Sequence, residues 1–181
     1  MSTKTTQETV VSLPDGVTAK LEGRTLFVKG KLGEARKHFD KVNINLSVQG
    51  NKVTLSPFSA KKKDNVIINT VVSIVNNMAK GVTKGFTYRL KVVYAHFPIT
   101  VKVKGDQVLV ENFVGERSPR VSRIVGDSKV SVEGDDVIVK GVSLEDVGQT
   151  AANVELSTKI RRKDQRVFLD GVYIYHREEG P

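Results

Sequence analysis

The sequence predicts an α+β protein built as a tandem duplication of a small antiparallel β-sheet unit packed with one α-helix. Two observations lead to this prediction: an internal repeat of alternating apolar residues, and a helix-like segment after each copy. We expect a polar tail over residues 1–9, a first α+β unit over 10–95 and a second over 96–181.

The repeat pairs residues 17–34 with residues 99–116 at a constant offset of 82, and 6 of the 18 pairs are identical. A second match pairs VQGNKVTL at 48–55 with VEGDDVIV at 132–139. In both matches, apolar and polar residues alternate around a short loop that contains Gly, which is typical of a hairpin. Each copy therefore contains two hairpins and then a helix.

Each predicted helix has end signals and one apolar face. Asp64 is the expected N-cap and Gly81 the expected C′ residue of the first helix, and Ser143 with Asp146 resembles a capping box in the second. The apolar faces consist of Ile67, Val71, Ile74, Val75 and Met78 in the first helix, and of Leu144, Val147, Ala151, Val154 and Thr158 in the second.

A strand is expected after each helix. In the first copy, Phe86 to Val92 alternate as a half-buried strand should. In the second, Asp170-Gly171 lies between alternating apolar residues, which predicts a hairpin turn that closes the sheet. Tyr173 and Tyr175 should share one face there, and core packing is favoured over stacking on a nucleic-acid base.

The charge distribution favours a polyanionic partner. The net charge is +9 and the pI about 9.7, values that most often indicate nucleic-acid binding. Residues 1–95 carry +10 and residues 96–181 carry −1, yet seven of the ten Arg lie in the second half. Because the planar fork of Arg matches phosphate oxygens, we expect the specific contacts in that half. The polar start, the lack of Cys and the lack of a membrane-length apolar run predict a soluble intracellular protein without a membrane partner.

No catalytic pattern is present. His38, His96 and His176 do not have metal-ligand spacing. Gly30 and Gly33 allow a phosphate-binding loop, but a turn is favoured because the same region repeats at Gly115. We therefore predict that the chain is not an enzyme, holds no metal or cofactor and has no small-molecule substrate.

Three basic clusters are candidates for RNA contact. They are Lys61, Lys62 and Lys63 before the first helix; Arg117, Arg120 and Arg123 after the repeated β segment; and Arg161, Arg162, Lys163 and Arg166 after the second helix. A solvated loop explains the first cluster equally well. Cations at a helix C-terminus stabilise it by about 0.3–1 kcal/mol each, but one or two would suffice. Four cations therefore favour RNA contact.

The end of the chain carries a specific motif. Lys163, Arg166, Phe168, Asp170, Gly171, Tyr173 and Arg177 form the pattern KxxRxFxDGxYxxxR. It resembles the C-terminal signature of the large-ribosomal-subunit protein six family, in its archaeal and eukaryotic form. The duplication, the length and the basic charge also match that family, over essentially the whole chain.

The resemblance implies a structural constituent of the large ribosomal subunit. Such a protein binds large-subunit rRNA near the factor-binding region, close to the sarcin–ricin loop and the stalk base. Neighbouring ribosomal proteins are further partners, and translation factors lie nearby. The motif adds Arg177 to the RNA-binding candidates and makes Asp170 and Gly171 a structural turn. A free-standing RNA-binding module or RNA chaperone is the alternative, because it would use the same clusters.

Overall fold

The protein folds into two compact units, which divide between Lys84 and Gly85. A computed structural model describes residues 8–58, 62–95, 97–161, 163–164 and 166–180, without the side chains of residues 62–65. Each unit combines antiparallel sheets with one long helix, so the predicted α+β class is confirmed. Among the described residues, no helix has both the length and the apolar character needed to cross a membrane.

The first unit contains two three-stranded sheets and a helix. In chain order its elements are β1 (Thr9–Ser12), β2 (Thr18–Glu22), β3 (Thr25–Gly30), β4 (Gly33–His38), β5 (Ile44–Gln49), β6 (Lys52–Pro57) and α1 (Lys62–Thr83). The strand orders are β1-β6-β5 and β2-β3-β4, with all neighbours antiparallel. Thr9 belongs to β1, so the expected tail is shorter than residues 1–9, and residues 1–7 lie outside the described part.

Helix α1 is longer at both ends than the sequence signals indicated. It begins at Lys62, so Asp64 lies inside it, and it continues past Gly81 to Thr83. The extension is explained by Val82, which is fully buried and whose carbonyl accepts a hydrogen bond from Leu32 N at 3.0 Å. Burial of this last turn outweighs the helix-ending tendency of Gly81.

The β3–β4 hairpin packs closely against that helix end. Gly30 and Gly33 pair at the tip of the hairpin, as the turn interpretation predicted. A Cβ on Gly30 would lie 2.7 Å from the Val82 carbonyl oxygen. Gly30 is therefore required by the close approach of two backbones rather than by a phosphate.

The second unit contains a four-stranded sheet, a three-stranded sheet and a helix. Its elements are β7 (Phe86–Val93), β8 (Thr100–Lys104), β9 (Gln107–Glu111), a 3-10 turn (Phe113–Gly115), β10 (Arg120–Arg123), β11 (Lys129–Glu133), β12 (Asp136–Gly141), α2 (Leu144–Ser157) and β13 (Gly171–Glu179). The orders are β11-β12-β7-β13 and β10-β9-β8. Helix α2 covers the four-stranded sheet and buries Val147, Ala151 and Val154 as predicted.

The assignment of Phe86 to Val92 to the first unit was wrong. Strand β7 pairs with β12 on one side and β13 on the other, in the centre of the second unit's sheet. Its counterpart in the first unit is β1, which pairs with the matching strand β6. The repeat thus begins with a strand and ends with the helix, and strand pairing over long sequence separation cannot be read from local alternation.

The predicted hairpin turn at Asp170-Gly171 is not formed. Residues 168–170 have no regular structure, and β13 begins only at Gly171. The Asp170 side chain is buried and its Oδ1 accepts a hydrogen bond from Ala95 N at 2.9 Å, so it binds a distant backbone instead of making a local turn. Tyr173 and Tyr175 are 42% and 55% exposed, which contradicts core packing, and a bulge interrupts β13 between Ile174 and His176.

Candidate nucleic-acid interface

The loop between β9 and β10 is held in a constrained conformation. Asn112 and Val114 have φ angles of 57° and 51°, and Gly115 has 75°. Positive φ is unusual for a β-branched residue such as Val114. The loop keeps this shape because Phe113 is buried and Asn112 Nδ2 donates to the Pro98 carbonyl at 3.0 Å.

Arg120 joins this loop to the C-terminus of α2. Its Nε and Nη2 donate to the two carboxylate oxygens of Glu116 at 2.8 and 2.6 Å. Its Nη1 donates to the carbonyl of Ser157 at 2.8 Å and, more weakly, to that of Lys159 at 3.3 Å. The guanidinium carbon lies 4.2 Å from the centroid of the Phe113 ring. All three guanidinium nitrogens are thus occupied within the fold.

The Glu116–Arg120 pair shifts the ionisation of both groups. Hydrogen bonding from Arg120 holds the pKa of the Glu116 carboxyl below its usual value, against the opposing effect of burial. Hydrogen bonding to Glu116 raises the pKa of Arg120. Both groups are charged at neutral pH, and the bidentate geometry favours one fixed orientation of the fork.

The connection through Arg120 brings two of the predicted Arg clusters together. Arg117 precedes it in the same segment, Arg123 ends β10, and Arg161 follows the bound carbonyl of Lys159 by two residues. Asn153 Nδ2 of α2 donates to the Arg123 carbonyl at 3.2 Å, which keeps β10 against the helix. Within the described ranges, the guanidiniums of Arg117, Arg123 and Arg161 are exposed and have no hydrogen-bond or ion-pair partner.

The segment after α2 presents further cations from a folded turn. The backbone N–H groups of Val167 and Phe168 both donate to the Asp164 carbonyl, at 3.1 and 3.0 Å. Arg166 pairs with the Asp164 carboxylate at 2.8 Å while its side chain remains 90% exposed. This hydrogen bonding lowers the pKa of Asp164. Lys163 Nζ lies 4.5 Å from the centroid of the Phe168 ring. We call Arg117, Arg123, Arg161, Lys163 and Arg166 the cationic surface.

The segment between α2 and β13 is hydrogen-bonded at both ends to other parts of the second unit. At its start, Thr158 Oγ1 is buried and accepts a hydrogen bond from Val172 N at 3.0 Å. At its end, Asp170 binds Ala95 N as described above. A Cβ on Gly171 would lie 3.0 Å from the Tyr173 ring, so Gly171 makes room for this aromatic side chain. The cations therefore sit on an anchored segment.

Arg177 lies elsewhere on the second unit. Its guanidinium carbon is 5.5 Å from the centroid of the Tyr88 ring, and Tyr88 is near Gly148 in the first half of α2. Gly148 and Thr158 are ten residues apart on the helix, or about 15 Å. The structure thus separates Arg177 from Arg161, which follows the C-terminus of α2.

Several other residues that the sequence singled out lie outside the described part of the chain or lack a described side chain. Lys61 and Arg162 lie outside the described residues, as does His96, and the side chains of Lys62 and Lys63 are not described. Among the described residues, no group of His and acidic side chains could hold a metal ion. The sequence reasoning missed Phe113 and Glu116, the partners of Arg120. Glu116 was signalled by its position four residues before Arg120, whereas nothing in the sequence signalled the contact of Phe113.

The structure is that of a duplicated α+β protein whose second unit presents exposed cations, which are the side chains that bind phosphate in other proteins. Residues 13–85 and 97–171 each match the family model described as Ribosomal protein L6. The chain belongs to the Ribosomal protein L6 family. It is therefore a structural protein rather than an enzyme, and the resemblance seen in the C-terminal motif is confirmed.

Three relatives named Large ribosomal subunit protein uL6 illustrate the similarity. The chain is 44% identical over 169 residues to the protein from Aeropyrum pernix, with 93% of each chain covered. It is 45% identical over 174 residues to that from Ignicoccus hospitalis, covering 93% of this chain and 94% of the relative. For Methanobrevibacter smithii the identity is 44% over 168 residues, with the same coverage.

Proposed function

We propose that this chain is a structural constituent of the large subunit of the cytoplasmic ribosome and binds large-subunit rRNA through the cationic surface. The names and the near-complete overlap of its relatives support the first part. One observation carries the second: Arg120 is bound inside the fold and thereby places Arg117 and Arg161 on neighbouring segments with free guanidiniums.

The mechanism is electrostatic. Arg117, Arg123 and Arg161 bind phosphate oxygens and release counterions, and Lys163 and Arg166 extend the contact. Because the segments are fixed before binding, the geometry selects a folded RNA backbone rather than a base sequence. Arg120 positions the others and does not itself touch RNA.

The family resemblance supports a contact near the factor-binding region, close to the sarcin–ricin loop and the stalk base. Neighbouring ribosomal proteins and passing translation factors are then the expected protein partners. Arg177 makes a contact apart from that of Arg161, because its guanidinium lies over Tyr88, near the first half of α2.

The test is the salt dependence of binding to an RNA fragment that contains the sarcin–ricin loop. Each phosphate contact contributes a slope of about −0.9 to log K against log salt for duplex and about −0.7 for single strands. The double variant Arg117→Gln/Arg161→Gln should bind more weakly, and its slope should be shallower by roughly 1.5.

The matched control is Lys129→Gln/Lys140→Gln. It removes the same charge from the same unit, at an exposed pair on β11 and β12 that lies outside the cationic surface. Equal losses in the two double variants would show that only net charge matters, and the assignment of the cationic surface would be wrong.

A further inference from the structure

The β2–β4 sheet of the first unit has one face buried and one face open. Along β3, Leu26 and Val28 are fully buried, whereas Thr25 and Phe27 are partly exposed and Lys29 is exposed. Successive side chains of a strand point to opposite faces, so Phe27 belongs to the outer face. A large aromatic side chain on that face is not needed to fill the core.

Two cations flank Phe27 in register. Lys20 on β2 and Arg36 on β4 are its direct cross-strand neighbours, roughly 5 Å away on either side. Both are exposed, and among the described residues neither has a hydrogen-bond or ion-pair partner. The two acids of this outer face, Glu22 and Glu34, lie in the adjacent rows rather than beside Phe27.

The second unit offers a comparison within the same chain. At the constant offset of 82, Leu109 takes the place of Phe27, and its cross-strand neighbour on β10 is Val121. The counterpart of Lys20 is Lys102, which is neutralised by Glu111 at 2.7 Å. The aromatic residue and the free cations therefore belong to the first copy alone.

We infer that the outer face of β2–β4 is a second RNA contact, in which an unpaired base stacks on Phe27 while Lys20 and Arg36 bind the flanking phosphates. An aromatic ring accepts any base by stacking, and cations beside it hold the backbone. The charge of the unit is complementary: residues 1–84 contain 14 Lys and Arg against 6 Asp and Glu, a net charge of +8. This inference rests on the proposed role in RNA binding and extends it from the second unit to the first.

The chain contains no Trp, so Phe27→Trp would place its one Trp, which can be excited selectively over the four Tyr, at the proposed stacking position. In the full-length chain, we expect single-stranded oligouridylate to quench this fluorescence saturably, because a stacked base quenches the indole. Leu109→Trp is the matched control at the equivalent position of the second copy and should show little change. Lys20→Gln/Arg36→Gln in the Phe27→Trp background should weaken binding about tenfold and reduce the salt slope by roughly 1.4.

A second variant at the same position tests the inference independently of how Phe27→Trp folds. Phe27→Leu introduces the residue of the second copy, and it should bind labelled oligouridylate about tenfold more weakly with an unchanged urea midpoint. The inference is overturned if Phe27→Trp is not quenched, if Leu109→Trp is quenched equally, or if a duplex of the same length quenches as well. It is also overturned if Phe27→Leu binds as the parent chain does.

The same background separates this inference from the proposed function. Adding Arg117→Gln/Arg161→Gln should leave the quenching by oligouridylate intact while binding to the sarcin–ricin fragment falls. If these two substitutions instead abolished the quenching and left fragment binding intact, RNA contact by the β2–β4 sheet would be rejected. The assignment of one RNA contact to each unit would be rejected with it. Unchanged fragment binding with intact quenching would reject the cationic surface alone.

Discussion

Replacing Arg120 tests whether this residue supports the fold rather than contacting RNA. Arg120→Met keeps an unbranched side chain and removes the guanidinium, with every hydrogen bond that it makes and its contact with the Phe113 ring. The loss is confined to the second unit, because all the partners of Arg120 lie there.

The size of the effect follows from the contacts. The short hydrogen bond to the Ser157 carbonyl contributes about 1 kcal/mol net, and the longer one to Lys159 less. The contact with the Phe113 ring adds about 0.5–1 kcal/mol. The ion pair contributes only about 0.5 kcal/mol, because the side chains of Arg120 and Glu116 are 29% and 43% exposed and water screens their charges. The free energy of unfolding should therefore fall by about 2–3 kcal/mol.

Tyrosine fluorescence during urea unfolding provides the assay. The four Tyr of the chain, at 88, 94, 173 and 175, all lie in the second unit and report on it selectively. With a typical urea dependence of about 2 kcal/mol/M, the midpoint should drop by roughly 1–1.5 M. Arg120→Lys should recover part of the loss, since it restores a charge without the planar fork.

Arg123→Met is the control, because its guanidinium is exposed and has no partner among the described residues. It should leave the urea midpoint unchanged and weaken RNA binding. If Arg120→Met changed the unfolding free energy by less than about 0.5 kcal/mol, or no more than Arg123→Met, its structural role would be refuted. Arg120 would then return to the set of RNA contacts.

Three further predictions concern the same unit. The pKa of Glu116 is lower in the folded state than in the unfolded state, where it is near 4.5. The stability that ionised Glu116 contributes is therefore present above the unfolded pKa and is lost as the pH falls through the folded pKa. The urea midpoint of Glu116→Gln should change less between pH 7 and pH 3 than that of the parent chain. Thr158→Val leaves the buried Val172 N–H without an acceptor and should lower the unfolding free energy by about 1–3 kcal/mol. Thr158→Ser keeps the hydroxyl and should not lower it. Equal unfolding free energies of the two variants would show that the hydroxyl is irrelevant. Asp170→Ala removes the acceptor of Ala95 N and should cost about 1–3 kcal/mol, with Asp170→Asn closer to the parent chain; hydrogen exchange at that amide checks the contact directly.

The local features of the fold could be predicted from the sequence. Alternation and Gly-containing loops located the hairpins, and the Ser143 cap of α2 was predicted correctly, with its Oγ accepting from Asp146 N at 3.2 Å. These signals succeed because hairpin and cap geometry depend on a few adjacent residues.

The features that depend on distant partners could not be predicted. Strand β7 alternates equally well for either unit, and only pairing with β12 and β13 decides its place. Asp170-Gly171 has the composition of a turn, but the free Ala95 N–H offers the carboxylate a partner that the local pattern does not reveal. Arg120 looked like its neighbours Arg117 and Arg123, because its role depends on carbonyls at the end of a helix 37 residues away.

The two copies differ most where the second unit extends beyond the first. Strand β13 has no counterpart among the described residues of the first unit. Besides its pairing with β7, it is held by α2 and its C-cap: the C-cap residue Thr158 accepts from Val172 N, and Glu155 accepts from Ile174 N at 3.1 Å. The segment between α2 and β13 is therefore fixed at both ends before any ligand arrives. Cations on such a segment lose less conformational entropy on binding than cations on a free tail, so the same number of Lys and Arg gives tighter binding. Thr158→Val removes the hydrogen bond to Val172 N, should loosen the start of β13 and should thus weaken RNA binding even though no cation is changed.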